Sequence, residues 1–327
     1  MTSRRKWLAV EIGAALAVIV VVVAVLVVAR EDRGTRTPAA PPSATSVTTT
    51  APAEPAALTG PALAVKIDNV PAARPQTGLG SAQVVYVEPV EGGLTRLVAV
   101  YTGTPPAVVG PVRSARRTDV ELLAQYGTPV LAYSGAAPEL LPTLHAADLI
   151  CASPGESATA YFRDRDRQAP HNLFLRPSRL PDGARAPAVA PLRFGAAPRQ
   201  GVPTTTYRVS YRAAGFTFTW SASDARWLVA MNGTPVVSTE SGPVGAATVV
   251  WQRVPVTSSE AGEDTRAGGS PVAHTVGSGR AVVLRDGQSF DATWSRPTAR
   301  SATTFHTTGG RELPLAAGTV WVLLTPA

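Results

Sequence analysis

The sequence predicts an α+β protein carried behind an N-terminal transmembrane helix and a disordered linker, with a mixed α/β half followed by a β-rich half. Three observations lead there. An apolar run at residues 7–29 follows Arg4, Arg5 and Lys6 and precedes a tract almost devoid of apolar side chains. From residue 58 onward, short β-branched stretches are punctuated by Gly, Pro and Asn, with helical periodicity confined to the first part. Beyond residue 200 only strand-like stretches follow, separated by turn residues.

Helices rise ~1.5 Å per residue, so about 20 apolar residues cross a bilayer core. The 7–29 run is long enough, and its one charge, Glu11, lies near the basic end. A cleavable signal has an apolar region of roughly 7–15 residues and a small-x-small cleavage site. This run is longer, and Val27, Val28 and Ala29 match such a site poorly. The basic cluster favours a cytoplasmic N-terminus, although Arg30, Arg33 and Arg36 lie beyond the run, interspersed with Glu31 and Asp32. Residues 1–30 are therefore read as a cytoplasmic tip and an uncleaved signal-anchor, with the main domain extracytoplasmic. Residues 31–57 are rich in Pro, Ala, Ser and Thr and cannot bury enough surface to offset the entropy of ordering. They read as a tether.

In the folded part, residues 63–67 form an apolar strand that runs into Asp68 and Asn69, and prolines and glycines then forbid a helix. Residues 84–87 and 94–101 read as a hairpin turning at Glu91, Gly92 and Gly93. Residues 114–125 give the best helical pattern, with Ser114 as cap and Arg113 at an anion-attracting N-terminus. A strand at 128–133 and a helix at 139–145 follow. Proline and alanine rise at 177–200 and divide a subdomain at 58–185 from one at 200–327. In the latter, residues 205–211, 216–220, 227–231, 248–254, 280–285, 290–294 and 319–324 read as strands.

The net charge of +7 is spread without a basic stripe, so no nucleic acid is expected as a partner. Cys151 is the chain's single cysteine, which excludes an internal disulfide and is read as a small buried residue. His145, His171, His274 and His306 are scattered, so no metal site is expected, and no cofactor fingerprint occurs. The Arg-Asp-Arg-Asp-Arg run at 163–167 reads as a solvated salt-bridge run. Trp220, Trp227, Trp251, Trp294 and Trp321 read as packing residues, with sugar stacking as the alternative.

Charge, glycine and short strands interleave most closely at 65–117. Arg74, Arg96, Arg113 and Arg116 offer rigid forks of donors suited to carboxylate or phosphate oxygens, or else balance Asp68, Glu88, Glu91 and Asp119. The candidate ligand-binding set is Asp68, Asn69, Arg74, Gln76, Glu91, Thr95, Arg96, Arg113, Ser114, Arg116, His171 and Asn172. Glu88, Glu91 and His171 are the candidates for general acid–base work, against a bracing role for each. No nucleophile motif accompanies them.

Several of these motifs together resemble the YerB-like family of bacterial candidate lipoproteins, a two-part domain of unknown function (DUF3048). They are Asp68-Asn69, the 73–78 segment Ala-Arg-Pro-Gln-Thr-Gly, the 91–96 segment Glu-Gly-Gly-x-Thr-Arg, the 110–116 segment Gly-Pro-Val-Arg-Ser-Ala-Arg and the 169–173 segment Ala-Pro-His-Asn-Leu. Gly277-Ser278-Gly279, Asp286-Gly287, Trp294 and the 318–321 segment Gly-Thr-Val-Trp extend the likeness toward the C-terminus. Many members carry a lipid-modified cysteine after the signal, and this chain has none there, so the uncleaved helix would serve as its anchor. The resemblance implies an extracytoplasmic envelope protein of α+β build and supplies no activity. The expected role is a non-catalytic binding or scaffold module for an anionic ligand, with peptidoglycan or cell-wall synthesis proteins as partners. The alternative is a cell-envelope hydrolase or transferase using Glu88 or Glu91 with His171.

Overall fold

The structure is a computed structural model that describes residues 58–199, 201–259 and 269–327. The expected membrane span and tether lie outside the described residues. Among the described residues no helix is long and apolar enough to cross a membrane.

The first half contributes β1 (Leu63–Ile67), β2 (Val84–Pro89), β3 (Thr95–Tyr101), β4 (Val130–Ala132) and β5 (Ile150–Ala152). These join the strands of the second half in one long mixed sheet. Its order is Thr304–Thr307, Gln288–Arg296, Gly277–Arg285, Thr248–Val254, Val320–Pro326, β2, β3, β1, β4, β5. The two halves meet where β2 pairs in parallel with Val320–Pro326, in register from Val84↔Val320 to Val87↔Leu323. The 58–185 and 200–327 segments thus share a continuous hydrogen-bonded layer.

Both faces of the central strands are covered, which is why β2 and β3 read as unbroken apolar runs rather than alternating ones. On one face Val84, Tyr86, Val98 and Val100 pack under α1 (Arg117–Leu123), which contributes Leu122 and Leu123. On the other, Val85, Val87, Leu97 and Ala99 pack against Phe216, Phe218 and Trp227 of a smaller sheet. That sheet is built on antiparallel strands Thr206–Ser210, Gly215–Ser221 and Arg226–Met231. Trp227, Trp294 and Trp321 are buried core residues, so none of the three is a sugar platform.

β1, β4 and β5 run parallel, and β4, α2 (Leu141–Ala146) and β5 form one crossover unit. The described fold is mixed and strand-dominated. The predicted strands at 63–67 and 248–254 match their observed bounds. The predicted helix at 114–125 is shorter: α1 starts at Arg117 and passes into a 3-10 turn, Ala124–Tyr126. The cause is local. The Ala115 amide donates to Gly135 O at 3.0 Å and the Ser134 amide to Arg113 O at 2.9 Å, which binds 113–115 as extended chain beside the exit of β4. Ser114 therefore does not cap. The cap position is Arg116, whose amide donates to Asp119 Oδ2 at 2.7 Å. Arg113 likewise sits on extended chain, not at a helix terminus.

Candidate functional site

Lys66, Glu88 and Arg96 project toward the helix-covered face, since Glu88 opposes Arg96 across β2 and β3 and Lys66 opposes Val98 across β1 and β3. Lys66 is 0% exposed and makes ion pairs with two equally buried carboxylates, Glu88 and Asp119, the latter at 2.8 Å. Burial pulls the Lys66 ammonium down to about 8, against the attraction of Asp119, so it stays charged at neutral pH.

Next along β1 the chain leaves the sheet at Asp68. Its carboxylate is buried and serves three groups. Oδ1 accepts the Asn69 amide at 2.9 Å, while Oδ2 lies 2.7 Å from His171 Nδ1 and 3.1 Å from Arg113 Nε. The Arg113 contact is an ion pair rather than an aligned hydrogen bond. His171 and Arg113 keep 21% and 26% of their side chains in solvent. Asn69 Nδ2 donates to Thr95 Oγ1 at 2.8 Å, tying this loop to the start of β3.

Glu91 sits in the hairpin turn, where Gly92 and Gly93 adopt φ of 68° and 74°. A Cβ on Gly93 would lie 2.6 Å from that of Arg212, so both backbone freedom and space require glycine there. Arg116 Nε and Nη2 each donate to Glu91 at 2.8 Å in a bidentate fork, and Ser270 Oγ adds a third bond. Burial pushes the Glu91 carboxyl up, but the bonds from Arg116 and Ser270 outweigh it and hold the group at about 2. A carboxyl held below its unfolded value of 4.5 adds stability at higher pH, and that stability is lost as pH falls from 4.5 toward 2. Glu91→Gln is thus expected to lower stability at neutral pH and to flatten its decline across that acid window, as read from unfolding midpoints at stepped pH.

Arg96 stands apart. Its residue is 6% exposed, yet its guanidinium makes no hydrogen bond or ion pair among the described residues, and its Nε is buried without a partner. Burial lowers its pKa to about 10; Arg116 and Arg113 add to this, and Asp68 and Glu91 oppose it. Four carboxylates therefore stand near four cations, with three of the cations ion-paired to carboxylates and Arg96 in no ion pair among the described residues.

Of the other predicted residues, Arg74, Gln76 and Asn172 are braces. Arg74 Nη2 donates to Asn69 O at 3.2 Å and Nη1 to Met231 O at 3.4 Å. Gln76 Nε2 donates to Asp68 O at 3.2 Å. Asn172 Oδ1 accepts Arg163 Nη1 at 2.7 Å. Ser114 has no hydrogen-bond partner among the described residues and is half-buried. The 163–167 run is not simply solvated: Arg167 donates to Ala73 O at 3.1 Å and Pro75 O at 2.7 Å, clamping the Arg74 loop. Glu88 has no solvent access, while Glu91 and His171 both keep part of their side chains in solvent; Glu91 is held by Arg116 and His171 by Asp68.

Sequence reasoning missed Lys66 and the partner Ser270. For Lys66 a signal existed: it is one of two lysines in an arginine-rich chain, and it interrupts the apolar strand Leu-Ala-Val-Lys-Ile. For Ser270 none did, since it lies 179 positions from Glu91.

Comparison with known proteins agrees with this fold. The family described as a protein of unknown function, DUF3048, matches through its N-terminal domain at residues 47–189 and its C-terminal domain at residues 205–322. YerB of Bacillus subtilis (strain 168), named as a candidate lipoprotein, is 47% identical over 60 residues, a stretch covering 18% of each chain. The crystal structure of YerB superimposes with a TM-score of 0.71 at 20% identity, covering 84% of this chain and 97% of that one. At that identity the likeness establishes the fold.

Proposed function

This chain belongs to the DUF3048 family, and from that premise we propose that it is a membrane-anchored, extracytoplasmic cell-envelope protein acting as a non-catalytic binding or scaffold module for an anionic group. The observation that carries the reading is Arg96. A buried guanidinium without hydrogen bonds costs more than one that is matched. An incoming carboxylate or phosphate reaching it beside Arg113 and His171 would supply the missing acceptors. The ligand chemistry is that of a peptide carboxylate, a wall-polymer phosphate or a lipid head group, with peptidoglycan or a cell-wall synthesis protein as the partner that location favours. The 7–29 run supplies the anchor in place of a lipid-modified cysteine.

One observation favours a second reading. A buried carboxylate orienting an outward-facing imidazole, as Asp68 does for His171 at 2.7 Å, is the arrangement a general base requires. A hydrolase or transferase would then rest on His171 and Asp68 rather than on Glu88 or Glu91. Co-sedimentation of the full chain with purified wall material separates the two. The binding reading expects retention of the protein without release of soluble fragments. Fragments that appear with the wild type and vanish with His171→Ala would replace it with the catalytic one.

A further inference from the structure

We propose that His145, Cys151 and Glu156 form a binding site for a borderline-soft divalent transition-metal ion of the Zn2+ type. The three side chains come from one stretch, α2, β5 and the turn after it. His145 lies in the last turn of α2, Cys151 in the middle of β5, and Glu156 in the turn that follows. One ligand atom from each lies within 4.8 Å of the other two, and His145 Nε2 is 2.8 Å from Glu156 Oε1. Tetrahedral zinc with bonds of ~2.0–2.3 Å sets its ligands about 3.3–3.8 Å apart, so small rotations of exposed side chains close the set.

The support around these atoms is fixed in a way that suits a ligand. The Ser153 amide donates to Glu156 Oε2 at 2.6 Å, and Tyr133 Oη donates to the same oxygen at 3.3 Å. Oε1 is thereby left toward His145. The turn itself is closed by Glu156 and Ser157 amides on Ser153 O, at 3.0 and 2.8 Å. Such outer partners orient ligating carboxylates in metal sites. The competing account is a surface His–Glu pair with an incidental cysteine beside it. That account needs no sulfur, yet the chain's only cysteine stands there, half-buried and within reach. Thiolate and imidazole donors disfavour Ca2+ and Mg2+, which take oxygen, and suit zinc and its neighbours. Three protein ligands leave a fourth position for water or a further ligand, as in exchangeable and catalytic sites rather than closed structural ones.

The test is titration of the reduced full chain with Co2+, a spectroscopic stand-in for zinc. Because Cys151 is the sole cysteine, a thiolate-to-cobalt charge-transfer band can arise from no other residue. The proposal expects that band to saturate near one equivalent, to bleach on adding Zn2+, to vanish in Cys151→Ser and to weaken by about tenfold or more in apparent affinity in His145→Ala and Glu156→Gln. Absence of the band in the wild type overturns it. So does a band whose affinity is unchanged by both His145→Ala and Glu156→Gln, which would mark a thiol acting alone. Should Cys151→Ser fail to fold, His145→Ala decides the matter, since its side chain is 54% exposed and its loss leaves no hole in the core.

Discussion

Replacing Lys66 with methionine is expected to remove about 3–5 kcal/mol of folding stability, the range typical of breaking a buried ion pair from one side. The mutation leaves Glu88 and Asp119 without solvent and without their ion-pair partner among the described residues. Asp119 retains the Arg116 amide, so the larger share of the loss falls on Glu88. Domains of ordinary stability have about 5–15 kcal/mol in total, so the variant should unfold at markedly lower urea or temperature. Adding Glu88→Gln to Lys66→Met is expected to recover part of the loss, because it removes the orphaned charge. Equal stability of Lys66→Met and wild type would show that the ammonium is not what holds these carboxylates.

Truncating Trp321 to alanine should cost a similar amount, about 3–5 kcal/mol, by the lost burial and the cavity left behind. Its indole is fully buried in Val320–Pro326, with ring centroids 6.2 and 6.3 Å from Phe216 and Phe218. The strand that carries it pairs with β2 on one side and with Thr248–Val254 on the other. Loss at this position should therefore lower the unfolding midpoint reported from both halves together. Tryptophan fluorescence and hydrogen exchange of first-half amides should shift in step. A shift confined to the second half would mean that the shared sheet does not couple them.

How much of this was readable beforehand follows the range of the forces involved. β1, β2, β3 and the seven second-half strands read above are written in β-branched runs and turn residues, which act locally, and lie within a few residues of their observed bounds; the edge strand Thr304–Thr307 was not among them. The motif loops at 73–78, 91–96 and 110–116 were legible as a group, and the structure brings Asp68, Arg96, Arg113, Arg116 and Glu91 together with His171. What failed was what depends on distant contacts. Ser114 looked like a cap, but Gly135, in the loop after β4, holds Ala115 as extended chain and moves the helix start to Arg117. Lys66 was passed over inside an apolar strand, because its partners Glu88 and Asp119 lie on other elements. His145, Cys151 and Glu156 are close in sequence, yet no spacing rule joins a helix end, a strand and a turn into one set of donors.

In the function proposed above, the cluster at the ends of β1 and β3 is a charge-matched brace with one guanidinium, that of Arg96, left for an outside anion. Calorimetric titration of the full chain with wall-derived fragments, in wild type and Arg96→Gln, tests it most directly. Saturable binding in the wild type, weakened about tenfold or more in a variant with a native-like unfolding midpoint, is the predicted result. Identical affinity in the two folded proteins, or no binding by the wild type, would contradict it.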